Sequence, residues 1–351
     1  MKCIVEKLDR ELMARGIQIP IEKRFQFCDM EGTPQREALM AGVHEYYGSA
    51  ASSSPDKALS HISTRNLIKM LKVKIRELNR ERGIWGEDSR RDYYEITDEQ
   101  IKKNANCAAA ICLENNLIPS RNGLSTLKNK NYGAAFNLCA CEPFNDQPIA
   151  VGRLCTGFLV KEDVVATAGH CACEKNVTDL RFVFGYKMLD SSTPATQVPN
   201  ENVYKGVKII ERAYNRSIGS DWALVKLDRN VVGQEVAALS KEKIFRDKTV
   251  YIIGYPLGLP LKYSPGASVS EISETHFSAD LNVYCGSSGS PVFDSETHEV
   301  IGIVVRGDNR DFRWVENCWM SVIYPNPVFK SKEPQCTRVS EFIDIVDKCC
   351  E

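Results

Sequence analysis

Apolar residues are distributed in two different ways along this chain. From Ile149 onward they come in short runs broken by turns: Thr156–Val160, Val164–Ala168, Leu180–Phe184, Val207–Ile210, Trp222–Leu227, Val250–Ile253, Val292–Phe293 and Val300–Val305. Short runs with many β-branched residues predict strands, and their close spacing predicts barrels or a sandwich. Residues 1–85 instead carry helical spacing. Thr33-Pro34 offers a cap and a first-turn proline, after which Leu39, Val43 and Tyr46 share one face until Gly48. Residues 49–55, Ser-Ala-Ala-Ser-Ser-Ser-Pro, have no apolar period and read as a linker.

From Thr64 to Arg82 the stripe Leu67, Leu71, Ile75 and Leu78 predicts a second strong helix. Arg65, Lys69, Lys72, Lys74, Arg76 and Arg80 surround that stripe with positive charge. The simplest expectation is a helix packed on its neighbour with a solvated basic face; the alternatives are a surface for a protein partner or for a membrane. Further on, Thr97-Asp98-Glu99-Gln100 reads as a helix start, and Ala108–Leu113 as either its end or a first strand. Residues 115–147 read as a long polar surface connection.

Charge changes this picture little. With 45 basic and 46 acidic residues the formal net charge is -1, which gives no pull toward nucleic acid. No run approaches the ~20 apolar residues of a spanning helix, so no integral membrane segment is expected. The first ten residues mix acids and bases where a secretory leader needs an apolar core, so a cytoplasmic protein is expected. The 14 cysteines lack the paired spacing of a zinc site, and neither metal nor cofactor is expected.

Three stretches carry candidate chemistry. Residues 285–291, Cys-Gly-Ser-Ser-Gly-Ser-Pro, set a serine among small neighbours that allow close approach and unusual backbone angles. Upstream, residues 166–171 contain His170, and residues 220–224 open an apolar run with Asp221. A serine hydroxyl needs a base to become a nucleophile, and an imidazole oriented by a carboxylate is the common solution.

In this order, and together with residues 155–160 (Cys-Thr-Gly-Phe-Leu-Val), 253–260 (Ile-Gly-Tyr-Pro-Leu-Gly-Leu-Pro) and 337–342 (Thr-Arg-Val-Ser-Glu-Phe), the chain resembles a chymotrypsin-like (trypsin-like) serine peptidase. The bacterial branch that includes the glutamyl endopeptidases is nearest, and the likeness runs from about Asp88 to the C-terminus. The resemblance implies a mainly β fold of two antiparallel barrels preceded by an α-helical region. The peptidase domain would take residues 86–351, with one barrel at about 149–235, a second at about 244–335 and a closing helix at about 340–348. It also implies His170, Asp221 and Ser288 as a triad, with the N–H groups of Gly286 and Ser288 as the oxyanion hole.

The pocket implied by the same resemblance uses Asn282 at its floor, with Cys285, Val305, Arg306 and Gly307 around it. Animal trypsins place an aspartate at the floor, so Asn282 argues against a preference for basic side chains. Arg306 would either favour acidic ones or face outward into solvent, and the histidine that glutamyl endopeptidases carry on this strand is absent, which argues against a preference for glutamate. The position just before the nucleophile, an aspartate in animal trypsins that pairs with a freed N-terminus, is Ser287. His276 lies outside the motifs and is expected to be structural or near the pocket. Cys155 and Cys171 match the family's bridge beside the histidine; for a cytoplasmic chain they are expected as neighbouring reduced thiols.

The function expected is a serine endopeptidase acting on protein or peptide substrates through an acyl-enzyme, with residues 1–82 recruiting or regulating it through a protein partner. The rivals are an inactive peptidase fold that binds peptides or proteins, and a peptidase held at a membrane surface by the basic helix.

Overall fold

The computed structural model divides into two units, residues 1–81 and 82–351. It describes Ser63, Asn66 and residues 84–348, apart from 121, 153, 216–218, 308–310, 316 and 325–332. The expected N-terminal helices and their partner surface therefore lie outside the described residues. Among those described, no helix is long and apolar enough to cross a membrane.

Twelve strands build two closed antiparallel barrels. The first uses β1 (Ala108–Leu113), β2 (Cys155–Lys161), β3 (Val164–Thr167), β4 (Leu180–Phe184), β5 (Val203–Asn215) and β6 (Ser220–Leu227), hydrogen-bonded around the ring as β1-β2-β3-β6-β5-β4. The second uses β7 (Thr249–Gly254), β8 (Lys262–Ile272), β9 (His276–Ala279), β10 (Pro291–Asp294), β11 (Val300–Arg306) and β12 (Gln335–Arg338). Its ring order is β7-β8-β9-β12-β11-β10. The two rings share one topology offset by six strands, although no repeat is visible in the sequence. This is the architecture of the chymotrypsin fold.

Two expectations need correction. The first barrel starts at Ala108, well before the expected position near 149, because Ala108–Leu113 pairs with both β2 and β4 and closes the ring. Residues 115–147 are not simply a polar surface loop. They hold α2 (Tyr132–Phe136) and bury Leu127 and Tyr132 completely, and Cys139 is bonded to Cys318. The helix start at residues 97–100 is borne out by α1 (Glu99–Ala105), whose cap residue Asp98 accepts from the N–H groups of Gln100 and Ile101. A short helix α3 (Ile343–Lys348) closes the chain.

The apolar core draws on both faces of many strands, which are buried inside the barrel and covered outside it. Phe158, Val165, Phe182, Phe184, Leu224 and Val225 are fully buried in the first barrel, and Val250, Val269, Phe277 and Val292 in the second. The loops at the barrel ends are thereby fixed to rigid strands. His170 and Ser288 sit on those loops, and Asp221 lies at the very start of β6.

Candidate active site

His170 lies three residues beyond the end of β3, and Asp221 is the second residue of β6. These strands are antiparallel neighbours with Thr167 opposite Ala223, so leaving β3 and entering β6 happen at the same barrel end. The Asp221 carboxylate consequently accepts from His170 Nδ1 at 2.8 Å and from the His170 backbone N–H at 3.0 Å. Asp221 is 1% exposed. Burial opposes its ionisation, yet the His170 ring, these hydrogen bonds and the nearby Arg306 charge outweigh it, and the carboxyl is held below its ordinary range. With Nδ1 bound to the carboxylate, Nε2 is the ring nitrogen left for proton transfer.

Ser288 comes from the loop joining β9 to β10 in the second barrel. Its carbonyl accepts from Thr156 N–H on β2 at 2.9 Å, and Cys171 Sγ lies 3.9 Å from the same oxygen. Gly289 N–H donates to Val304 O at 2.7 Å. The residue after His170 and the backbone of Ser288 are thus in contact across the two barrels. Ser288 is buried, and the His170 side chain is 25% exposed.

The orientation of the two candidate oxyanion donors follows from peptide planarity, since N–H and C=O of one trans peptide point in opposite directions. Cys285 O accepts from Leu257 N–H at 2.5 Å, which turns Gly286 N–H away from Leu257. Ser287 O accepts from Ser290 N–H at 3.0 Å, which does the same for Ser288 N–H. Thr156 Oγ1 donates to Gly286 O at 3.0 Å and accepts from Tyr255 N–H at the same distance. Gly286 has φ of 92° and Gly289 of 89°. A Cβ on Gly289 would sit 1.9 Å from Thr156 O, so only glycine fits there.

The expected pocket residues fare unevenly. Cys285 is exposed beside the loop, and its N–H donates to Asp311 at 3.3 Å. Gly307 is buried, and Arg306 ends β11 opposite Gln335. Val305 is buried in the main apolar core, so any share it has in a pocket comes from its backbone. Asn282 is 6% exposed. Its Oδ1 accepts from Trp85 N–H at 2.7 Å, and its Nδ2 donates to Glu87 O and Ser89 Oγ, both at 3.0 Å. The amide expected at the pocket floor is therefore fully occupied by the segment upstream of α1.

His276 packs against Gly219, where a Cβ would come 2.3 Å from its Nδ1, which places it beside the strand that carries Asp221. The expectation of reduced Cys155 and Cys171 is corrected: the two form a disulfide with Cα atoms 6.2 Å apart. The paired strands β2 and β3 bring them into bridging range, whereas the expectation was drawn from compartment alone. Sequence reasoning gave no role to Thr156, Thr337 or Arg90; the first two sit in motifs that carry the resemblance, but the bonds of their hydroxyls to Gly286 O and Asp221 N–H emerge only from the structure. Arg90 lies outside those motifs and reaches the loop through the Tyr284 ring.

Residues 155–303 match the family model described as a trypsin-like peptidase domain. The matched stretch runs from β2 into β11 and holds His170, Asp221 and Ser288, so it is recognised as a trypsin-like peptidase domain. No curated protein matches the chain. A solved structure titled as a Glu endopeptidase in complex with MPD is similar at 15% identity and TM-score 0.45, covering 76% of this chain and 98% of its own. Rv3671c from M. tuberculosis H37Rv, in an inactive mutant form, is 12% identical with TM-score 0.41, covering 72% of this chain and 91% of its own. The scabies mite inactivated protease paralogue S-I1 is 13% identical with TM-score 0.43, covering 71% and 95%.

Proposed function

We propose that this protein is a serine endopeptidase that hydrolyses peptide bonds through an acyl-enzyme, with Ser288 as nucleophile, His170 as base and Asp221 as the group that orients it. The observation that carries the reading is the 2.8 Å bond from His170 Nδ1 to a buried Asp221 carboxylate at the barrel end where the Ser288 loop crosses.

In this reading Ser288 Oγ attacks the substrate carbonyl as His170 Nε2 takes its proton. The resulting oxyanion is met by the N–H groups of Gly286 and Ser288. Collapse breaks the C–N bond, and His170 returns the proton to the leaving amine. Water then repeats the sequence on the ester, releasing the acid and restoring the serine. Asp221 stays ionised throughout, which its depressed affinity for protons favours. Residues 1–81 act in this proposal as an accessory unit that recruits or regulates.

A fluorophosphonate probe tests the reading, because it bonds only to an activated serine. Labelling of the wild type and none of Ser288→Ala supports it. Equal labelling of the two, or none of either, sinks it, and peptide capture without labelling would leave an inactive binding fold.

A further inference from the structure

Arg90 is a buried cation that takes no part in the proton relay just described. Its side chain is 1% exposed, a costly position for an arginine unless its neighbours hold the charge. Burial works against that charge, but Tyr284 and the Asp88 carboxylate raise its proton affinity well above the ordinary arginine range. Nε donates to Asp88 Oδ1 at 2.8 Å and Nη2 to Oδ2 at 2.6 Å, a two-pronged fork. The guanidinium face lies 4.4 Å from the centre of the Tyr284 ring and 5.2 Å from that of Phe144.

Tyr284 leads directly into the nucleophile loop. Its N–H donates to Ser287 Oγ at 3.2 Å, its carbonyl accepts from Ser287 N–H at 3.0 Å, and its hydroxyl donates to Ser321 Oγ at 2.7 Å. Two residues earlier, the whole Asn282 amide is bonded to the backbone and side chain of residues 85–89. The segment that carries Arg90 therefore grips both residues that set the path of the chain into Cys285 and Gly286. Arg90 also borders one small cavity together with Asn282, Ser287 and Ser290. Ser287 is uncharged, so the position just before the nucleophile offers no carboxylate with which to recruit a cation from elsewhere.

We propose that Arg90 is a positioning residue for the oxyanion donors. By clamping the Tyr284 ring from below, it keeps the Cys285–Gly286 peptide turned with its N–H toward the cleft, and it is supplied by the folded chain itself, without a cleavage to free an N-terminus. This rests on the proposed peptidase reading. Loss of the clamp lets that peptide rotate and removes a donor, which lowers the rate of acyl transfer while leaving ground-state peptide binding in place.

The experiment compares the full chain as wild type, Arg90→Met, Arg90→Lys and Lys248→Met. Lys248 is a second buried cation, paired with Asp294 and lying 4.6 Å from the Phe245 ring, and it serves as a control for the loss of a buried ion pair away from the loop. Fluorophosphonate labelling rates are measured per folded molecule, and amide hydrogen exchange is followed over residues 281–290. Arg90→Met is expected to label on the order of 100-fold more slowly and to exchange faster over that segment. Lys248→Met is expected to do neither, and Arg90→Lys to recover part of the rate. Wild-type labelling matched by Arg90→Met, or lost equally in Lys248→Met, overturns the proposal. A wild type that does not label at all refutes the peptidase reading instead. In that case unchanged exchange in Arg90→Met overturns the clamp as well, and faster exchange confined to that variant supports it.

Discussion

Thr337, on β12 of the second barrel, holds the backbone of Asp221 in the first. Its hydroxyl accepts from Asp221 N–H at 3.1 Å and lies within donor range of Gly219 O and Asp221 O, at 3.2 and 3.3 Å. Thr337 is fully buried, so no water can substitute for it readily. Thr337→Val should leave a buried N–H unpaired and cost about 1–3 kcal/mol of stability. Thr337→Ser should cost much less. Urea unfolding of the three proteins checks this, and an equal loss in both variants would exclude the hydroxyl as the cause.

Asp221→Asn keeps the shape of the site but removes the charge that the His170 ring opposes. If the proposed relay operates, kcat should fall by about 10⁴-fold with the fold unchanged. Peptide hydrolysis and circular dichroism on the same preparation test it; a fall of less than about tenfold would remove Asp221 from the assigned role.

Gly286→Ala should be nearly as damaging. A Cβ there would sit 2.7 Å from Tyr255 O while the backbone stays at φ of 92°. The peptide must shift, and loss of one oxyanion donor predicts a drop in kcat of about 10²–10³-fold. Steady-state kinetics should show the loss in kcat with KM little altered.

Lys262 gives a pH signature. Burial, opposed by its pairing with Asp92, brings its ammonium down from the ordinary 10.5 to about 8. Between these values the unfolded chain holds a proton that the folded chain has released, so this group adds stability as pH rises through that window. Relative to Lys262→Met, the wild type should gain on the order of 3 kcal/mol from pH 8 to 10.5, and nothing below pH 8. Chemical denaturation across that range reads the difference, and a flat difference would show that the lysine keeps its proton.

The Cys155–Cys171 bridge spans 16 positions. Removing it with paired serines should cost about 3 kcal/mol by loop-closure reasoning. Thermal unfolding with and without a thiol reductant measures this, and a wild type indifferent to the reductant would contradict it.

Much of this architecture could be read from the residues, for specific reasons. Strands such as Val164–Thr167 and Leu180–Phe184 are buried throughout, so each shows as a mostly apolar run, with Arg181 the one charge in the second. By contrast, β8 carries Ser264, Pro265, Gly266, Ser268 and Ser270, and its turn-like composition conceals a strand of 11 residues. The first strand was ambiguous because Ala108, Ala109 and Ala110 suit a helix as well as a barrel wall. The three candidate triad residues stood out because each lies in a stretch of unusual composition. The bonding of Asn282 was not legible because a single position cannot reveal that residues far upstream, Trp85, Glu87 and Ser89, will hold its amide.

The bond between Cys139 and Cys318 joins positions 179 apart, and His170, Asp221 and Ser288 all lie inside the ring it closes. A single backbone cut anywhere between those cysteines leaves both fragments covalently joined. Such a nicked molecule should migrate as one band on a non-reducing gel and as two once thiols are added, so nicking there can go on for some time before any piece is lost.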